Sequence, residues 1–205
     1  MEMNQSILIR KINLIIDKNK VTVHGFVLAI YCVLHLVMTV FHEPWYDEAE
    51  AWQIARCASL RDILLTIPHY EGHPPLWHLI LAIPAKMGMP YELSLSMVSL
   101  LFSAGAVALF LKYAPFNESV KAFVPFTYFV FYQYSAVSRP YCMMMLAMVL
   151  VAVTWQARNI KPIPFVVSMA FLCLTSSYGI IIAGGISNDY SYLFGLSDRG
   201  CGEEA

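Results

Sequence analysis

Three short stretches of this chain carry side chains able to do chemistry. In the first, Asp47 and Glu48 are flanked by Trp45, Tyr46 and Trp52 and follow directly on a long apolar run. A carboxylate set against aromatic walls at a lipid boundary is partly dehydrated and suits the work of a general base. The same Asp-Glu-Ala-Glu stretch also reads as the acid-rich first turn of an interfacial helix, favoured by the helix dipole, with the tryptophans as interface anchors. In the second, Glu71-Gly72-His73-Pro74-Pro75, a turn throws a carboxylate and an imidazole outward before a helix begins. That pair could ligate a divalent cation or bind a phosphate or sugar hydroxyl, or be no more than a polar turn. In the third, Arg139 stands between two apolar runs, followed by Tyr141. Charge at membrane depth is costly and usually lines a functional cavity, although an arginine at a hairpin tip also snorkels; placed there it could hold a phosphate by forked hydrogen bonds. The prolines at 68, 74 and 75 keep His69 and His73 off one continuous helical face, and no HExxH is present.

The elements that must position these groups are membrane helices. Of 205 residues, 59% are hydrophobic and only 13% charged, outside the range of ordinary soluble domains. No Lys/Arg cluster with interleaved aromatics occurs, so nucleic acid is not an expected partner. The five cysteines show no CxxC pairing and imply neither a disulfide framework nor a zinc site. Residues 21–41 and 93–111 are uncharged and long enough to cross the hydrocarbon, and 122–137, 141–157 and 163–186 are three further candidate spans. Residues 1–20, with four basic residues and an apolar face, are expected as a cytoplasmic or interfacial N-terminus. Residues 76–85 are apolar but too few to span, and are expected as a re-entrant or interfacial helix. With five spans, eight of the thirteen basic residues face the cytoplasm. The predicted fold is therefore an all-α polytopic transmembrane bundle with a long extracytoplasmic first loop, 42–92, containing interfacial helices. This topology puts the acidic loop and the Ser138-Arg139-Pro140 tip on the same outer face, where a guanidinium and several carboxylates can share one pocket.

With Asp47-Glu48-Ala49 after the first long helix, an amphipathic outer loop, His73-Pro74-Pro75-Leu76, and Ser138-Arg139-x-Tyr141 between short spans, the chain resembles the N-terminal part of the GT-C membrane glycosyltransferases. The branch it resembles is the bacterial one similar to protein O-mannosyltransferases and lipid A aminoarabinose transferases (glycosyltransferase family 39-like), over about residues 21–185. The resemblance implies transfer of a hexosyl or pentosyl group from a polyprenyl-phosphate carrier to a lipid or glycan acceptor on the outer face of the inner (cytoplasmic) membrane, with the N-terminus cytoplasmic. It implies Asp47, with Glu48, as catalytic carboxylates. Arg139, His73 and Tyr141 become donor or phosphate contacts, and Glu71 a contact to donor or divalent metal.

Two other readings stay open on the residues: a non-catalytic membrane subunit or inactive fragment whose acidic loop is only an interfacial belt, and a small transporter in which Arg139 faces the carboxylates along a pathway. Members of the resembled family are commonly at least twice as long, and residues 187–205 turn abruptly polar without an assignable pattern. The expectation is a chain truncated or frameshifted after about residue 186.

Overall fold

The computed structural model describes the backbone of residues 2–200 and the side chains of residues 20–188. Every regular element among them is helical. The first, α1 (Glu2–Phe41), is 40 residues long and so about 60 Å. No proline interrupts it, and its backbone runs unbroken through residues 20 and 21; the side chains proposed to form an interfacial face there lie outside the described residues. Its later part, Lys20–Phe41, is long and apolar enough to cross a membrane, and so is α6 (Tyr91–Tyr113). Among the described residues no other helix meets both criteria.

A polar seam joins these two helices. On α1, Val27, Tyr31 and His35 are buried at four-residue spacing, and on α6 Ser96, Ser99 and Ser103 form a buried stripe. His35 Nδ1 lies 2.8 Å from Ser135 Oγ, and its Nε2 lies 3.2 Å from both the backbone carbonyl and the hydroxyl of Ser96. Ser135 in turn donates to Ser103 at 2.9 Å. Small hydroxylated residues let backbones approach and supply hydrogen bonds where apolar burial gives little discrimination between helices. At the other end of the seam Glu118 bridges His24 (2.7 Å) and Lys121 (2.9 Å), fastening α1 to α7 (Glu118–Phe123).

The run 122–137, expected as one span, is instead three pieces: the end of α7, a 3₁₀ turn (Val124–Phe126) and a π-helix (Tyr128–Ala136). Pro125 has no N–H to continue the α ladder, and Thr127 turns extended before the wider coil begins. The Val137 N–H closes that coil on the Tyr132 carbonyl, five residues back. After the tip at residues 138–140 comes α8 (Tyr141–Trp155), whose Met143, Met144 and Met145 are buried.

The run 163–186 is likewise not one helix. It divides into α9 (Pro162–Thr175) and α10 (Ser177–Gly200), separated by extended Ser176. The Thr-Ser-Ser sequence supplies the competing bonds: Thr175 donates to the Leu172 carbonyl, and the Ser176 hydroxyl accepts the Gly179 N–H at 3.1 Å. Gly179 allows the close return, because a Cβ there would collide with the Leu172 carbonyl and meet Thr175 Oγ1 at 2.8 Å. Helical backbone continues through residue 200, across most of the polar stretch left unassigned in the sequence; residues 201–205 lie outside the described residues.

Between α1 and α6 the first loop folds into α2 (Tyr46–Cys57), α3 (Leu60–Leu65), α4 (Ile67–Glu71) and α5 (Leu76–Lys86). Trp52 and Ala55 of α2, Ile63 of α3 and Trp77 and Leu81 of α5 close over Leu95 of α6 and Met143 of α8 in one apolar cluster. Trp52, expected as an interface anchor, is only 4% exposed. Each buried tryptophan removes about 150–250 Å² from water, of order 4–6 kcal/mol at about 25 cal/mol/Å². The loop is thus a packed platform on the ends of α6 and α8, stiff enough to hold side chains in place.

Candidate functional site

The phase of α2 decides what its two carboxylates do. Glu48, Ala51, Trp52 and Ala55 follow the i, i+3, i+4, i+7 rule of a buried face, and all four are buried. Glu48 is 1% exposed. Its Oε2 accepts the Trp45 N–H at 2.8 Å and lies 2.9 Å from His42 Nε2, and its Oε1 accepts the Ser138 N–H at 2.7 Å. One carboxylate therefore fastens the start of α2 to the tip ahead of α8, across 90 residues of chain.

Asp47, one residue earlier, turns the other way. Its Oδ2 lies 2.8 Å from Arg139 Nη1, in an ion pair whose side chains are 47% and 27% exposed respectively. The guanidinium also lies over the Tyr141 ring, 5.3 Å from its centroid. The latch at Ser138 thus delivers the next residue, Arg139, to the carboxylate beside Glu48.

The second motif is held by different means. Gly72 closes α4 at φ +64°, a left-handed position that glycine occupies without strain. Ser177, at the start of α10, donates to the Gly72 carbonyl and lies 3.1 Å from His73 Nδ1. Pro74 and Pro75 then start α5, which carries Trp77 and His78 in its first turn. Burial lowers the pKa of His78 below the ordinary imidazole value, with a further contribution from neighbouring His73.

These pieces enclose a cavity of about 200 Å³ lined by Asp47, Glu50, Glu71, His73, Trp77, His78, Arg139 and Tyr141. Five of the six residues singled out in the sequence, Asp47, Glu71, His73, Arg139 and Tyr141, meet there. Glu48 does not: both its oxygens are committed beneath the cavity wall, so its place is structural support rather than contact with a bound molecule. Comparison with protein-family models, curated proteins and solved structures finds no match to this chain.

Among the described residues no group of three or more His, Cys, Asp or Glu side chains is arranged to hold a metal ion. Glu71 lines the cavity together with Asp47, Glu50 and His73, but these donors do not converge on one point, so the residues do not fit the divalent metal considered for Glu71. Three contributors carried little sequence signal: His42 and Ser138, which satisfy Glu48, and Ser177, which holds His73. Glu48 was expected as a catalytic carboxylate; what separates it from Asp47 is its spacing to Ala51, Trp52 and Ala55, which puts it on the buried face of α2.

Proposed function

We propose that the protein is a polytopic membrane glycosyltransferase whose cavity transfers a sugar from a polyprenyl-phosphate carrier to an extracytoplasmic lipid or glycan acceptor. The observation that carries this reading is the convergence of Asp47 and Arg139 in one cavity at the ends of two helices able to cross a membrane. Phe26, Val33, Val37 and Val40 of α1 and Leu93, Met97 and Leu101 of α6 are exposed, as lipid-facing side chains would be. On this reading α8, α9 and α10 complete the bundle, the N-terminus faces the cytoplasm, and the cavity opens on the outer face of the inner membrane.

The chemistry follows from the residues. An acceptor hydroxyl attacks the anomeric carbon and loses its proton to Asp47. The bond from that carbon to the phosphate oxygen breaks, and the leaving phosphate keeps the electron pair. Arg139, the one Lys or Arg among the described residues lining the cavity, stabilises the charge that develops on it. In the unliganded protein Arg139 is paired with Asp47; an arriving phosphate competes for the guanidinium and frees the carboxylate to act as base. Tyr141 and His73 orient the donor from either side.

The test is transfer of label from a radiolabelled polyprenyl-phosphate sugar in membranes carrying the protein, with Asp47→Asn and Arg139→Gln alongside. Loss of transfer in both variants at normal membrane levels is expected; full transfer by Asp47→Asn would remove the base from the reading. The ion pair also favours a second reading, a non-catalytic membrane subunit in which Asp47 and Arg139 merely clamp the loop. No transfer by the wild-type protein, together with normal assembly, would favour that one.

A further inference from the structure

One proton decides what His73 can offer to a bound molecule. The Ser177 hydroxyl carries a single hydrogen and stands between two groups, the Gly72 carbonyl at 2.5 Å and His73 Nδ1 at 3.1 Å. A carbonyl oxygen only accepts, so so short an approach of two oxygens requires the Ser177 proton to lie between them. With its hydrogen engaged by Gly72, Ser177 meets His73 through a lone pair. Nδ1 is then the donor, and a neutral ring with its proton on Nδ1 leaves Nε2 bare.

That bare nitrogen is open. Among the described residues Nε2 has no hydrogen-bond partner, and it is not one of the buried atoms that lack one. His73 is half-buried and lines the cavity, whereas Ser177 is not part of the lining. The Nδ1 edge is turned to its support, and Nε2 is the polar atom the ring has left for the cavity. Asp47 must leave Arg139, 2.8 Å away, before it can serve a ligand; Nε2 has no cation to give up. An ionised phosphate oxygen would bring one lone pair against another there. A hydroxyl brings a proton.

We propose that Ser177 is a positioning residue that fixes His73 as the Nδ1–H tautomer, and that the Nε2 lone pair accepts a hydrogen bond from a hydroxyl of the molecule bound in the cavity. On the glycosyl-transfer reading, on which this last assignment rests, the hydroxyl belongs to the carried sugar, and His73 is a sugar contact rather than a phosphate contact. The tautomer itself does not depend on that reading.

The experiment is nitrogen NMR of the full chain in detergent micelles, labelled with ¹⁵N in the histidine rings, at alkaline pH where imidazole is neutral. The His73 signals are assigned by their loss in His73→Gln. A bare ring nitrogen resonates far downfield of a protonated one, so the spectrum reads the tautomer directly. A protonated Nδ1 and a bare Nε2 are expected. Ser177→Ala should shift His73 toward the Nε2–H form that free histidine favours, and Ser177→Thr, which keeps a hydroxyl, should restore the wild-type pattern. A serine that only braces the loop would leave the tautomer unmoved. Diethyl pyrocarbonate, which acylates a bare and accessible imidazole nitrogen, should label wild-type His73 in peptide mass maps. An Nε2–H wild type, a tautomer unchanged in Ser177→Ala, or a His73 that resists the reagent overturns the assignment. Protection of His73 from labelling is expected with a polyprenyl-phosphate sugar and not with polyprenyl phosphate alone; equal protection by both overturns the sugar contact. An Nδ1–H His73 that neither carrier protects removes the glycosyl-transfer reading and its sugar contact, and leaves the tautomer assignment standing.

Discussion

Replacing Glu48 with glutamine tests whether the site is held from below or by its own ion pair. Glu48 accepts from the Trp45 N–H at 2.8 Å and the Ser138 N–H at 2.7 Å, on opposite oxygens, and lies 2.9 Å from His42 Nε2. A glutamine has one carbonyl oxygen. If that oxygen stays with Ser138, the amide NH₂ faces the Trp45 N–H; if it stays with Trp45, the NH₂ faces the Ser138 N–H. Either way one buried backbone donor loses its acceptor and meets another donor. A hydrogen bond to a charged group contributes about 1.5–3 kcal/mol and a stranded donor costs a similar amount, so the loss comes to about 3–5 kcal/mol. For a chain of this length that lowers Tm by roughly 6–20 °C. The Asp47–Arg139 pair is substantially exposed, and Asp47→Asn should cost only about 0–1 kcal/mol. Thermal unfolding of the two variants in the same detergent compares them directly. Equal shifts, or a Glu48→Gln protein as stable as the wild type, would refute the latch.

Three further outcomes follow from the same structure. Gly179→Ala forces a Cβ against the Leu172 carbonyl and Thr175 Oγ1 and should cost about 1–3 kcal/mol through separation of α9 from α10, read as a lower Tm and faster proteolysis. His35→Phe removes the partner of Ser135 Oγ and the Ser96 carbonyl and should destabilise by about 1–2 kcal/mol in a denaturation series, whereas the double variant with Ser135→Ala should cost less than the sum of the single ones. His78 is held neutral by burial while the unfolded chain protonates near the ordinary value of 6.5, so its contribution to stability is complete above that value and is lost as pH falls through the lower folded pKa. Stability measured downward from pH 7 should therefore fall less steeply in His78→Asn than in the wild type.

What the sequence made legible was the meeting of Arg139 with the carboxylates of the first loop. Uncharged runs and the placement of basic residues gave the expectation that a guanidinium and carboxylates share one pocket, and the Asp47–Arg139 pair is found lining one. The turn at Gly72 was legible because glycine followed by His-Pro-Pro leaves the chain few conformations. What adjacent carboxylates hide is their helical phase: Asp47 and Glu48 look alike in a line of letters, yet about 100° of rotation separates a cavity wall from a buried latch. The interrupted helices were harder to see. Apolarity alone does not distinguish one span of 24 residues from two helices broken at Ser176, because the break depends on hydroxyls of Thr175 and Ser176 bonding locally and on the close approach at Gly179. The π-helix likewise depends on where the α ladder restarts after Pro125, which hydrophobic periodicity does not encode.

The Glu48 latch also sets an order of events in the making of the protein. Its acceptor oxygens precede the Ser138 N–H by 90 residues, which at about 5–20 residues per second is roughly 5–18 s of translation. During that interval α2 has emerged with its carboxylate but nothing to fasten to, and the cavity lacks the wall that carries Arg139 and Tyr141. The loop helices gain this tie only when the tip ahead of α8 has been made, so completion of the site waits on synthesis of the later helices, and a single hydrogen bond registers that the two halves of the chain have met.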